Sequence, residues 1–198
     1  MTTIQLYGFA GSTYVRSTMI ACEELKLDWE MLPLQFGQAS HLALHPFGKM
    51  PVLKHGPVTL YETLAILCYL NDLSDGATLT PDGALPRARM WQVLSICIDY
   101  AYPALVKASF ADDKTTIETE PAERCLDALA ALMGPGSCLT GDRVSLADLV
   151  FEPMLSHYLG NVPVAEEQLD GRPSMKKWYH RMRQRPALVA TYKENQSE

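Results

Sequence analysis

Short apolar runs separated by glycine and proline dominate the first third of the chain, and beyond it only helical spacing remains. Ile4 to Tyr7, closed by Gly8 and Gly11, reads as a strand. Across Thr13 to Lys26, Val15, Met19, Cys22 and Leu25 fall three and four apart, which predicts a helix. Trp29 to Leu34 returns to a strand, and the alternating residues up to Pro46 read as a short helix or loop. Pro51 to Lys54 and Val58 to Leu60 form two brief strands turned around His55-Gly56-Pro57. Glu62 to Leu73 is a helix apolar on most sides. The predicted order is βαβαββα, with the last two strands antiparallel.

Ser74 to Pro86 holds Ser, Asp, Gly, Thr and two prolines without an apolar period, and reads as a linker. After it, Trp91, Leu94, Ile98, Ala101 and Leu105 predict a long amphipathic helix facing a bundle core. Pro121 opens or bends the next helix, which is expected to end near Gly134-Pro135-Gly136. Ser145-Leu146-Ala147-Asp148 matches a capping box, with Asp148 reaching back to the Ser145 backbone. Pro153 is expected to distort the helix that follows, and two helices starting at Pro173 and Pro186 close the chain. The expected fold class is an α/β domain over 1–73, a linker over 74–85 and an all-α domain over 86–198.

Composition narrows the function. The 198 residues suffice for a substantial core, and 47% apolar with 20% charged residues is globular composition. A net charge of −6 with scattered basic residues argues against nucleic-acid and anionic-membrane partners. The basic run Lys176 to Arg185 alternates with Trp178, Tyr179 and Met182, as the solvated face of a helix does. No apolar run approaches the ~18 residues of a membrane span, and the N-terminus lacks a signal-peptide pattern. A cytoplasmic location is therefore expected. The five cysteines include no Cys-x-x-Cys pair, and Cys22, Cys68 and Cys97 sit in apolar helical patterns. Free buried thiols are expected, without a disulfide framework or a metal site.

Three segments carry candidate chemistry. Ser12, in Gly11-Ser12-Thr13, sits where a strand turns into a helix; it can cap that helix or donate to an anion held there. In His45-Pro46-Phe47-Gly48-Lys49-Met50-Pro51, Pro51 opens a strand, and a Met50–Pro51 bond in the cis form would expose the Met50 backbone to an extended peptide. An ordinary turn is the alternative. Glu62-Thr63 opens a helix, and can cap it or hold a ligand's ammonium and carboxylate.

In this order and spacing the three segments resemble the glutathione transferase superfamily, in its serine-type phi, theta, delta and tau pattern. The likeness extends to Leu146-Ala147-Asp148 and to Trp178…Arg185-Pro186. It implies a thioredoxin-like glutathione-binding domain followed by a helical domain, and a homodimer. It implies that Met50 and Pro51 meet the cysteinyl backbone, that Glu62 and Thr63 bind the γ-glutamyl end, and that Ser12 hydrogen-bonds the sulfur. Lys49 or His41 would take the glycyl carboxylate, and Tyr7 is a rival thiol donor. The activated thiolate would attack a small hydrophobic electrophile, with Trp91, Ser95 and Tyr102 as wall residues, although Trp91 reads better as core. The chain carries His45 where the family has Asn and Thr63 where it has Ser, and its segment from Gly37 to Leu44 is short. A binding or scaffold protein without transferase activity, or a glutathione-dependent isomerase or peroxidase, are the alternatives.

Overall fold

The computed structural model describes residues 2–74, 76, 78–133, 136–163 and 165–194. Gly134 and Pro135, the expected end of one helix, and linker positions 75 and 77 lie outside them. The chain forms two compact units, one of Met1–Thr78 with Pro186–Glu198 and one of Leu79–Arg185.

The first unit follows the predicted order. Strands β1 (Ile4–Tyr7), β2 (Trp29–Leu32), β3 (Val52–His55) and β4 (Val58–Tyr61) alternate with helices α1 (Thr13–Glu24), α2 (Ala39–Leu44) and α3 (Thr63–Leu73). The sheet runs β2-β1-β3-β4, with β1 and β2 parallel and the other pairs antiparallel. This is a thioredoxin-like arrangement. Ile4, Leu6, Val52 and Leu53 are buried in the sheet, and Val15, Met19, Ile20, Ile66, Leu67 and Leu70 are buried on α1 and α3, which pack on each other. Cys68, expected to be buried, lies exposed on α3, because the helix buries only the stripe through Ile66, Leu67 and Leu70. Helix α9 (Pro186–Glu194) returns from the far end of the chain to pack on α1, burying Ala187, Leu188 and Thr191.

In the second unit α4 (Ala84–Ile96) continues into a wider, π-helical stretch over Cys97–Lys107. Pro103 lies inside that stretch; it has no N–H to donate, and its ring would strike the carbonyl four residues back in a regular α-helix. Met90, Leu94, Cys97, Ala101 and Leu105 are buried, whereas Trp91 is 41% exposed and Ser95 is exposed, so Trp91 is not core. The helix Ala84–Phe110 is long and apolar enough to cross a membrane by length and composition; its buried positions here pack on α5 (Glu120–Met133) and α6 (Leu146–Asn161). Helix α6 carries Pro153 in its interior and continues to Asn161. Helices α7 (Ala165–Asp170) and α8 (Pro173–Arg183) complete the unit, and Trp178 of α8 stacks on Phe151 with ring centroids 5.5 Å apart.

Candidate functional site

Strand register gathers the three candidate segments. Tyr7, the last residue of β1, pairs with Val52, the first of β3, and Val52 pairs with Tyr61, the last of β4. Adjacent strands lie about 4.8 Å apart. The turn after β1, the residues before β3 and the junction after β4 therefore leave the sheet side by side. Ser12, Met50–Pro51 and Glu62–Thr63 all belong to this one end of the first unit.

Ser12 is the N-cap of α1, and its hydroxyl accepts the Val15 N–H at 3.5 Å, a long contact. The first turn of α1 holds no acidic residue, so the positive end of its dipole faces no side-chain carboxylate there. Ser12 is half-buried, and its hydroxyl proton is not spent on the cap. Gly8 permits the tight turn: a Cβ there would stand 2.6 Å from Val15 Cγ2. Buried Arg16, one turn on, donates from Nη2 to the Ala10 carbonyl at 3.1 Å and lies over the Tyr192 ring at 4.1 Å. Tyr7 points elsewhere, its hydroxyl donating to Gln5 Oε1 at 3.4 Å, back along β1.

The Met50–Pro51 bond is cis. Among the described residues no hydrogen bond engages the Met50 backbone. The loop before it turns at Gly48, whose φ of +57° suits glycine. Two histidines four residues apart hold this loop from inside. His41, fully buried, takes the Gly37 N–H on Nδ1 at 3.1 Å and contacts the Lys49 carbonyl through Nε2 at 2.9 Å. Both ring nitrogens are thus committed to backbone, which corrects the expectation that His41 could bind a glycyl carboxylate. Lys49 is exposed. His45, also buried, accepts the Phe47 N–H on Nδ1 at 3.3 Å and packs on Tyr61 with centroids 4.8 Å apart. Burial pushes the His45 ring below the usual histidine range; Glu62 opposes that shift, and Lys49 adds to it. The structural part of this pair was missed in the sequence, although a His-x-x-x-His spacing just before Pro-x-Gly was its available signal.

Glu62 stands at φ +71°, the left-handed region that non-glycine residues rarely adopt, and its side chain makes no cap bond to α3. The capping explanation therefore fails for Glu62. Thr63, the first residue of α3, is buried beside it. Strained backbone of this kind concentrates at binding sites.

Comparisons with known proteins identify the family. Residues 2–72 match the family model for the glutathione S-transferase N-terminal domain and residues 93–186 that for the C-terminal domain. Glutathione S-transferase F7 of Arabidopsis thaliana is 27% identical, over 94% of this chain and 98% of its own. The structure of glutathione transferase F7 from Populus trichocarpa superposes with a TM-score of 0.86 at 26% identity, covering 97% of this chain and 99% of that one. A glutathione transferase family member from Pseudomonas fluorescens with two glutathione bound gives 0.84 at 25%, covering 96% and 92%. With both family models matched in order over a thioredoxin-like sheet and a helical unit, this chain belongs to the glutathione S-transferase family.

Proposed function

We propose that this protein is a serine-type glutathione S-transferase that ionises glutathione at the start of α1 for attack on a small hydrophobic electrophile. The observation that carries the reading is the row Tyr7–Val52–Tyr61, which brings Ser12, Met50–Pro51 and Glu62–Thr63 to one end of the sheet. In this reading the tripeptide lies along residues 1–73, beside Met50, with its γ-glutamyl ammonium on Glu62 and its α-carboxylate on Thr63. Lys49 takes the glycyl carboxylate and Ser12 donates to the sulfur.

A free thiol ionises near pH ~8.5, so only a few per cent is thiolate at pH 7. Bringing ionisation down by about two pH units requires about 2.7 kcal/mol of preference for the anion. A hydrogen bond to a charged acceptor contributes about 1.5–3 kcal/mol, and a helix N-terminus about 0.3–1 kcal/mol more. One serine hydroxyl on an uncompensated helix start is sufficient. The thiol proton leaves to solvent, the sulfur pair forms the new S–C bond, and the electrophile's leaving group departs with its own pair. A homodimer belongs to the same proposal, with Phe47, 70% exposed, as apolar surface for a second copy to cover. Cytoplasmic residence and a detoxifying role follow from the same reading.

Calorimetric titration with S-hexylglutathione, paired with conjugation rates over a panel of electrophiles and with the rate of hydroperoxide reduction by glutathione, tests the proposal. Saturable binding with glutathione-dependent conjugation is the expected result. Binding without turnover on any electrophile moves the protein to a binding or scaffold role, and no binding overturns the reading altogether.

A further inference from the structure

Resting on that reading and deepening it, we infer that His41 is a positioning residue for glutathione: its imidazole sets the peptide plane that presents the Met50 N–H to the tripeptide. The hydrogen-bond partners fix the ring's form. The Gly37 N–H can only donate, so Nδ1 carries a lone pair; the Lys49 carbonyl can only accept, so Nε2 carries the proton. His41 is therefore the neutral Nε2–H tautomer. It clasps both ends of the α2 segment, from Gly37 before the helix to Lys49 after it.

The Lys49 carbonyl and the Met50 N–H share one planar peptide unit and point in opposite directions across it. Drawing that carbonyl inward to a fully buried ring turns the Met50 N–H away from the ring. Among the described residues that N–H has no partner. His41 cannot touch a ligand itself, since it is fully buried with both nitrogens engaged; it acts through Lys49 and Met50. Phe36, whose ring centroid lies 5.1 Å away, and His45, at 6.5 Å, limit the ring's freedom to turn.

Two substitutions separate this role from a general structural one. Asn at position 41 keeps an acceptor near the Nδ1 position for Gly37 but does not reach Lys49. Gln reaches the Nε2 position and donates to Lys49 but releases Gly37. Each loses one hydrogen bond. His41→Gln is expected to bind S-hexylglutathione within about threefold of wild type, and His41→Asn about tenfold more weakly, the scale of one positioning hydrogen bond. The loss should appear in the KM for glutathione, with kcat at saturation changed by less than about threefold. Equal losses in the two variants overturn the role of His41 while leaving the proposed function standing; a wild-type protein that fails to bind removes both. Long-range 15N–1H spectra of the wild-type imidazoles give a test independent of any variant's folding. A neutral Nε2–H ring at position 41 is expected, and an Nδ1–H or charged ring at pH 7.5 overturns the inference.

Discussion

Two serines begin helices in this molecule, and they are used in opposite ways. Ser145, at α6, is 1% exposed and is sealed by Asp148. One Asp148 oxygen accepts the Ser145 N–H at 2.9 Å and the Ser145 hydroxyl at 2.8 Å; the other accepts the Leu139 N–H at 2.9 Å and Trp178 Nε1–H at 2.8 Å. Burial pushes that carboxyl above the usual carboxylate range, and all four donors work against the shift. Ser12, at α1, has one long cap contact, half-exposure and no acid in the first turn. Glu62 opens α3 with no side-chain cap bond at all. A helix start whose serine proton is taken by a buried acid stabilises the fold; one whose serine proton is unspent can donate to an anion.

Breaking the sealed start should have the largest effect. Asp148→Ala strands three of the four donors, the Ser145 and Leu139 N–H groups and Trp178 Nε1–H, while the Ser145 hydroxyl keeps Thr140 Oγ1 at 3.0 Å; at about 1–3 kcal/mol each, a loss of at least about 3 kcal/mol is expected in urea unfolding. Ser145→Ala removes one of the four and should cost only about 1 kcal/mol. The open start should behave in reverse. Ser12→Ala is expected to lower kcat about 100-fold with less than about 1 kcal/mol change in stability, read from steady-state rates and the same unfolding curves. At α3, Glu62→Gly relieves about 1–3 kcal/mol of backbone strain while adding about 0.5–1 kcal/mol of chain entropy cost. Its stability should hold or rise while S-hexylglutathione binding weakens at least tenfold, the loss of a charge-assisted contact.

The smallest effect concerns His45. Its folded ring ionises below its ordinary value of 6.5, so the unfolded chain binds the extra proton first. The stability carried by the neutral ring is complete above pH 6.5 and is lost as pH falls through the folded value. Unfolding free energy should therefore decline as pH falls from 7.5 to 5.5. Asn at position 45 keeps an acceptor for the Phe47 N–H and cannot titrate, so His45→Asn should flatten that decline. An unchanged slope in the variant contradicts the assignment.

What was legible in the sequence was local. The βαβαββα order follows from runs of apolar residues cut by Gly8, Gly11 and Gly56, and Pro51 at a strand start behind Pro46 and Gly48 left a cis bond and an ordinary turn open, of which the cis bond is present. Asp148 was readable because its reach to the Ser145 backbone spans three residues. Partners distant in sequence were not. His41 looked like a ligand for a carboxylate because nothing in the chain says that the Lys49 carbonyl, eight residues on, curls back onto its ring. Periodicity assigned Trp91 to the core, but α4 turns the stripe of Met90, Val93 and Leu94 inward and leaves Trp91 outside it. The return of α9 to α1, with Arg16 over the Tyr192 ring, joins opposite ends of the chain, which no local pattern announces.

The contrast between the two serines is tested most directly by titrating enzyme-bound glutathione, following thiolate absorbance against pH in wild type and in Ser12→Ala. Wild type should ionise the bound thiol about two pH units below the free value of ~8.5, and the variant should recover at least one of those units. Identical midpoints in the two proteins, or a wild-type midpoint at the free value, would contradict the claim that the open start of α1 activates the sulfur.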